Sequence, residues 1–407
     1  MRSGNQATAG QVSASRQDNP ADQHWPWWPL LPLYPYGRRR TLMRELFPGQ
    51  LWSFEQLQGL YYVAVPVRLT VVKVNGGLML VNPLPPTAEL RRGIQELERR
   101  HGPVVSIVLP TASGLEHKLP LPALARAFPD ADLWLCPGQW TYPLQIPSSW
   151  LGIPSARTRL LFEDGLPHQE CCSWLSLGPI DLGLGPFQEV ACLHAPTGAL
   201  LVTDALVGIE ATPPLLFDLD PTPLLFHARE RGDQPLQDSP EARRRGWARL
   251  VLFASFLKPD QVEIPSLLTV LRYSFKPGLR SISSHFGLYP FSWKQDWQLA
   301  AQTLIGEDAP RLQIAPVVER LVMPRAKALM LSWLDGLLEQ QALRWLVPAH
   351  YSAPLPFGAS EVKALRLNIT SRGWAPSYGD WSFLGSFDSA LLKFGVVPDD
   401  PLESFRD

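Results

Sequence analysis

The sequence has little cysteine, little net charge and no long apolar run, and each shortage excludes a class of protein. Its 407 residues include only four cysteines, at positions 136, 171, 172 and 192. These are too few for a disulfide scaffold, so we expect a reducing compartment. A formal net charge of -1 at pH 7 leaves no broad basic surface, so general nucleic-acid binding is not expected. Pro, Asp and Arg interrupt every apolar stretch before the roughly 18 residues that a transmembrane span needs, so no such span is expected.

Proline and tryptophan, in contrast, are abundant, with 42 and 15 copies. In Trp25–Tyr36, WPWWPLLPLYPY, the recurring prolines exclude a helix and predict an extended strap. Either this strap buries its aromatic side chains on the core, or it makes a partner or membrane-surface contact. We predict a disordered tail over the polar segment 1–23 and a Pro/aromatic strap over 24–46. The run Arg38–Arg40 is expected to lie on a solvated face.

A predicted layer of strand and helix follows the strap. The β-branched residues of Leu60–Leu80 and the turn at Gly76-Gly77 predict a hairpin. Thr87 then caps a predicted helix whose apolar face is formed by Leu90, Ile94 and Leu97. The apolar strand VVSIVLP comes next and leads into a polar loop. This order predicts an α/β layer arrangement with a candidate functional loop at the carboxyl end of that strand.

The spacing of apolar residues divides the remainder of the chain into predicted strands and helices. A second hairpin is predicted from Glu189 to Asp204, and helical periodicity dominates from about 240 to 341. The apolar strand LRWLVP then leads into the loop Ala349–Tyr351. We predict a main domain over 47–370, a helical insertion within it at about 240–341, and a C-terminal extension over 371–407.

The polar loop after VVSIVLP resembles the signature T-H-x-H-x-D-H of the metallo-β-lactamase superfamily. In that signature, three histidines and an aspartate are presented to two metal ions. Here Ala112 and Gly114 stand in the positions of the first two histidines. Glu116 stands in the position of the aspartate, and His117 keeps the last histidine. Lys118 follows, and we expect it to be solvated; the alternative is that its ammonium replaces the first metal ion.

Two further stretches resemble metal-ligand segments of the same superfamily. LLVTDA resembles the strand that ends in the metal-bridging aspartate, which would be Asp204, and WLVPAH resembles the strand that ends in the final ligand, which would be His350. The superfamily's remaining histidine should lie in Gly183–Glu189, which contains none, and His194 lies too late for it. We expect the three other histidines in apolar surroundings to be buried or interface residues: His194, His227 and His285.

The resemblance therefore implies that the first metal site has lost its histidines while the second keeps its ligand set. That set would be Glu116, His117, Asp204 and His350. Two imidazoles and two carboxylates suit a single Zn, Fe or Mn ion, with coordination positions left for water or substrate.

Longer strings are similar to a family of unknown function that has a metallo-β-lactamase-like fold and occurs in cyanobacteria and plant plastids. The strings are WPWWPLLPLYPYGRRRTL, GLEHK, CPGQWTYP, GPIDLGLGPFQEV, LLVTDAL and PLLFHARE. The resemblance implies an α/β fold, a four-layered αβ/βα sandwich of metallo-β-lactamase type with the helical insertion. It implies a cytoplasmic protein in a cyanobacterium, or a protein of the plastid stroma in a plant, and it implies no known activity.

Two functions follow from this degenerate site. In the first, which the loss of the first-metal histidines favours, the protein is non-catalytic and its cleft binds a ligand or partner. In the second, it is a mononuclear metal-dependent hydrolase or oxidoreductase. The second requires the side chains of all four predicted ligands, Glu116, His117, Asp204 and His350, to converge on one point.

Overall fold

The computed structural model of the protein describes residues 19–25, 33–35, 37–139, 146–183, 185–274, 276–281, 287–372 and 382–397. Residues 1–18 of the predicted tail and residues 26–32 and 36 of the predicted strap lie outside these ranges. Of the strap, Tyr34 is buried and its hydroxyl donates to the Asp220 carboxylate. At the end of the predicted tail, Pro20–Gln23 form a short 3-10 helix. Asp22 of this helix forms an ion pair with Arg92 at 2.6 Å. The division into domains stays a prediction, as does a contact of the strap with a partner or membrane surface.

The first sheet has eight strands, in the order β1-β3-β4-β5-β6-β7-β8, with β2 paired to β3. The parallel part runs from β5 to β8, and the remaining pairs are antiparallel. The strands are β1 Leu33–Tyr34, β2 Leu42–Phe47, β3 Leu51–Leu60, β4 Val63–Val74, β5 Gly77–Val81, β6 Val104–Leu109, β7 Asp132–Leu135 and β8 Thr158–Leu160.

The second sheet has five strands in the order β17-β16-β11-β10-β9, and only the pair β11-β16 is parallel. Two small two-stranded sheets, β12-β15 and β13-β14, accompany the helices. The strands are β9 Cys172–Asp181, β10 Pro186–His194, β11 Ala199–Val202, β12 Val207–Ile209, β13 Val262–Glu263, β14 Ser292–Trp293, β15 Arg311–Gln313, β16 Trp345–Pro348 and β17 Leu355–Pro356.

Twelve α-helices occur in the described ranges. Their bounds are α1 Ala88–His101, α2 Leu115–Lys118, α3 Leu121–Ala127, α4 Leu216–Leu219, α5 Thr222–Ala228, α6 Pro240–Phe256, α7 Leu267–Tyr273, α8 Trp297–Leu304, α9 Pro316–Leu321, α10 Lys327–Leu338, α11 Ala359–Arg372 and α12 Ser382–Lys393. No helix among these residues is long and apolar enough to cross a membrane.

Three apolar clusters define the layers. One lies between the sheets and joins Val72 and Val108 of the first to Leu201 and Val347 of the second. Another packs α1 and α3 on the outer face of the first sheet, and a third packs α10 and α11 on the outer face of the second. The predicted four-layered αβ/βα sandwich is therefore confirmed. A fourth cluster, formed mainly by α5, α6 and α8, covers the end of β3 and the start of β4.

Local sequence signals place the elements that lead to the site. The predicted hairpin is β4 and β5, and Gly76 turns it with φ at +85°. Thr87 caps α1 by accepting from the Leu90 amide at 3.2 Å, as predicted. The parallel strands β5 and β6 then bring the loop that follows Leu109 to the carboxyl edge of the first sheet.

Candidate metal centre

Three loops at strand ends carry the predicted ligands. Glu116 and His117 lie in α2, just after β6, while Asp204 follows β11 and His350 follows β16. The loop after β6 is joined to the second sheet, because the Ala112 amide donates to the Gln188 carbonyl at 2.9 Å. Loops from both sheets therefore meet at one edge of the sandwich.

The four predicted residues come together at this edge. His350 Nε2 lies 3.2 Å from Asp204 Oδ1 and 3.7 Å from Glu116 Oε1. One potential ligand atom each from Glu116, His117 and His350 lies within 4.8 Å of the other two. Asp204 is outside that group of three, but its Oδ1 contacts one member of the group, His350. Within the described ranges, no other group of three His, Cys, Asp or Glu side chains has such geometry.

Backbone carbonyls orient both imidazoles in the same way. The Nδ1 of His117 lies 3.0 Å from the Pro83 carbonyl oxygen, and the Nδ1 of His350 lies 3.2 Å from that of Pro66. Since a carbonyl oxygen can only accept, each Nδ1 must carry a proton and donate it. In neutral imidazoles this leaves the lone pair on Nε2, the arrangement that a metal ligand needs.

The Nε2 of His117 is the clearest sign of a missing partner. This nitrogen is buried and has no hydrogen-bond partner among the described residues. A buried polar atom without a partner costs about 1–3 kcal/mol, so native structures rarely leave one. A metal ion held together with Glu116 and His350 would satisfy it, so the residues present fit such an ion.

The charges in the site favour a cation. Burial alone would raise the pKa of Glu116, but the hydrogen bond with His350 and the nearby imidazoles lower it to about 2. Burial alone would lower the pKa of His350, but the hydrogen bonds to Asp204 and Glu116 raise it to about 10. Burial lowers the pKa of His117, which stays neutral at pH 7. Two carboxylates therefore face one imidazolium, and a divalent ion could replace its proton.

Protein atoms crowd the two positions that the resemblance assigns to first-metal histidines, Ala112 and Gly114. A Cβ on Gly114 would lie 2.7 Å from Thr111 Cγ2, so a histidine cannot stand there without a shift. The Lys118 ammonium donates to the Ala112 carbonyl at 2.6 Å, and burial lowers its pKa to about 8. Lys118 is 3% exposed, so the prediction of a solvated lysine was wrong. The replacement of the first metal ion by its ammonium stays a prediction.

The loop that carries His350 is held by a buried ion pair that sequence reasoning missed. Glu55 Oε1 accepts from Arg68 Nε at 3.0 Å, and Arg68 also donates to the carbonyls of Pro348 and Tyr351, the latter at 2.6 Å. Burial would raise the pKa of Glu55, but the charges of Arg68 and Arg44 lower it to about 2. The available signal was a Glu and an Arg inside strands that are otherwise mainly apolar.

A second buried carboxylate holds the loop that carries Asp204. Glu189 accepts from the amides of Thr203 at 2.6 Å, Asp204 at 2.7 Å and Ala205 at 2.9 Å. Burial, and then the charge of Asp204, raise the pKa of Glu189 to about 7. His194 and His227 are fully buried, as predicted, and neither belongs to the cluster of ligands; His285 lies outside the described residues.

The site opens into a cleft of about 400 Å³. Its polar floor is formed by Glu116, Asp204 and His350, and its walls are mainly apolar. The walls come largely from α9 with its flanking residues and from the end of α6, and both sheets add further residues. Apolar wall residues include Val65, Phe187, Ala254, Pro316, Val317 and Leu321. The arrangement suits a substrate or ligand that has an apolar body and an oxygen-containing group.

Several solved structures are similar to this chain. A metallo-β-lactamase from Pontibacter korlensis matches with 13% identity and a TM-score of 0.30, over 53% of this chain and 83% of its own. A metallo-β-lactamase from Pseudomonas aeruginosa in a mono-zinc form matches with 13% identity and a TM-score of 0.29, over 53% and 80%. A flavo di-iron protein from Thermotoga maritima matches with 10% identity and a TM-score of 0.40, over 81% and 62%.

The family assignment comes from the sequence. No curated protein matches the chain. Residues 48–366 match the family described as Domain of unknown function (DUF4336). This match covers the sandwich from β3 to the first part of α11, and it includes every one of the predicted ligands. The chain therefore belongs to the DUF4336 family, whose model matches most of this αβ/βα sandwich.

Proposed function

We propose that the protein binds one divalent transition-metal ion through Glu116, His117 and His350, with Asp204 as a fourth ligand or as a proton acceptor beside the ion. The observation that carries this proposal is the orphaned Nε2 of His117, buried beside a second imidazole of the same tautomer and a carboxylate. Two histidines and one glutamate bind zinc in hydrolases, and two histidines with one carboxylate bind iron in oxygenases.

We propose that this site belongs to a mononuclear metal-dependent hydrolase or oxidoreductase. A bound ion would supply Lewis acidity to an oxygen atom of water or of the substrate. The chain's own residues would do the rest. The Pro83 and Pro66 carbonyls fix the two imidazoles, Asp204 is placed to accept a proton at Oδ1, and the apolar walls hold the substrate body and exclude water.

Elemental analysis of protein purified without chelator tests this proposal, alongside the variants H117A, H350A and H24A. His24 is exposed and lies outside the site, so H24A is the matched control. We expect about one equivalent of Zn, Fe or Mn in the wild type and in H24A, and none in H117A and H350A. Absence of metal from a wild-type protein that also fails to bind added zinc or iron would contradict the proposal.

A second candidate function is ligand or partner binding without a metal. It is favoured by the position of His350, whose charge is compensated by Asp204 and Glu116 without any ion. In that case the cleft would bind a ligand through its apolar walls and this charged floor. The same elemental analysis separates the two candidates. The origin in cyanobacteria or plastids, with the location in cytoplasm or stroma, stays a prediction.

A further inference from the structure

A second cavity, of about 390 Å³, lies on the other side of Glu116, which lines both cavities. Its walls are formed by α2, α3 and the 3-10 helix Ser148–Leu151, together with the end of β3. They are largely apolar and include Leu119, Pro122, Ala123, Trp150 and Leu151. Cavities of this size, apolar with a few polar groups, are typical of sites for small organic molecules.

Arg39 supplies the polar group at the inner end. Its side chain is 3% exposed, and its guanidinium donates to the Leu57 carbonyl at 3.0 Å and to Gln58 Oε1 at 3.3 Å. In the part of the chain that the structure describes, no carboxylate forms an ion pair with it. Burial lowers the pKa of Arg39 to about 10, so it remains charged at pH 7. A buried charge without a counterion is costly, and an anionic ligand would supply the counterion.

The mouth of the cavity also combines an arginine that has no carboxylate partner among the described residues with apolar side chains. Arg126 is exposed there, and no carboxylate among the described residues lies within ion-pair distance of it. Beside it, Trp150 is 78% exposed and Leu119 is 52% exposed. Neighbouring exposed apolar side chains at a cavity mouth are typical of ligand-binding surfaces. The cavity thus offers a cation at each end and an apolar wall between them.

We infer that this cavity is a binding site for an amphipathic organic anion, with the acidic group paired to Arg39 or Arg126 and the apolar body against α3 and Trp150. The inference goes beyond the metal site and does not depend on it. It involves Glu116 only as a shared wall, so metal-free protein should bind the anion as well.

A pair of fluorescent probes tests the inference. The anion 8-anilinonaphthalene-1-sulfonate and the neutral N-phenyl-1-naphthylamine share an aromatic body and differ in the sulfonate. We expect saturable binding of the sulfonate at one site, at least about tenfold tighter than binding of the neutral probe, which corresponds to about 1.4 kcal/mol. We expect R126Q and R39Q to remove most of this preference, and W150S to weaken both probes. R99Q, at an exposed position on α1, is the matched control.

Arg126 and Trp150 are exposed, so we expect R126Q and W150S to fold. These two variants therefore test the inference even if R39Q does not fold. Near-UV circular dichroism checks that each variant is folded, because the sulfonate probe also binds partly unfolded protein. Equal affinity for the two probes, no saturable binding, or sulfonate affinity unchanged in both R126Q and W150S would overturn the inference. If H117A loses the metal but still binds the probes, the anion-binding inference is supported independently of the metal site. The two proposals can therefore fail separately.

Discussion

The buried pair of Glu55 and Arg68 gives the sharpest stability prediction. Their side chains are 2% and 1% exposed, and Glu55 Oε1 accepts from Arg68 Nε at 3.0 Å. Replacing Glu55 with Gln leaves the Arg68 guanidinium buried without its counterion. Breaking a buried pair in this way costs about 3–5 kcal/mol of the free energy of unfolding. The pKa of Glu55, lowered from 4.5 to about 2, corresponds to about 3 kcal/mol, which agrees with the lower end of that range.

The sign of the pH dependence follows from the same pKa. Because the pKa of Glu55 in the folded protein lies below its unfolded value, the stabilisation is complete above about pH 4.5. It is lost as the pH falls from 4.5 towards 2. An amide cannot titrate there, so the stability of E55Q should fall less steeply than that of the wild type. The difference between the two should therefore shrink as the solution becomes more acidic.

Urea unfolding at pH 7, and again at several values between pH 5 and 3, measures both effects. The control is E163Q, because Glu163 is exposed; it should change the free energy of unfolding by less than about 0.5 kcal/mol. The reasoning is refuted if E55Q unfolds within about 1 kcal/mol of the wild type at pH 7. It is also refuted if the difference between E55Q and the wild type does not shrink as the pH falls.

Two further substitutions test the packing of helices outside the sandwich. A Cβ on Gly246 of α6 would lie 1.9 Å from the Leu224 carbonyl oxygen, whereas one on Gly278 would meet no atom within 4 Å. G246A should therefore lower the free energy of unfolding by about 1–3 kcal/mol or more, and G278A by less than about 1 kcal/mol. Equal thermal unfolding midpoints would contradict the close contact of α6 with α5. Asp388 of α12 is 6% exposed and accepts from Arg325 at 2.7 Å, while Asp335 forms an exposed pair with Arg366. D388N should destabilise the protein by about 3 kcal/mol and reduce hydrogen-exchange protection in α12, whereas D335N should cost less than about 1 kcal/mol. Unchanged protection in α12 would show that this ion pair does not hold the helix.

Short-range patterns predicted the elements that lead to the site. The alternation of β-branched residues and the Gly76-Gly77 turn predicted the hairpin, and Thr87 predicted the start of α1. These signals depend on residues only a few positions apart, so they can be recognised in the sequence without knowing which distant segments meet in the fold. The resemblance to the metallo-β-lactamase signature then predicted that Glu116 and His350 would meet, although 234 positions separate them.

The sequence could not predict what surrounds the site, because those contacts join distant segments. Arg68 holds the His350 loop through carbonyls about 280 residues away, and His117 takes its tautomer from the Pro83 carbonyl. Lys118 was predicted to be solvated, but its ammonium donates to the Ala112 carbonyl, a contact that no local sequence pattern indicates.

The run Arg38–Arg40 was expected to lie on a solvated face, but Arg39 is buried and lines a cavity. Arg39 turns inward, where the Leu57 carbonyl accepts from it, while Arg40 is partly buried and Arg38 is exposed. The charge run therefore did not predict that Arg39 is buried and lines a cavity.

A crystal structure of the protein grown with zinc, with anomalous diffraction recorded on both sides of the zinc absorption edge, tests the central claim most directly. The account predicts one anomalous peak about 2.0–2.1 Å from the Nε2 atoms of His117 and His350 and about 2.0–2.2 Å from a Glu116 oxygen. No peak at this position, with the His117 Nε2 still without a partner or bound to water, would contradict a metal centre in this protein.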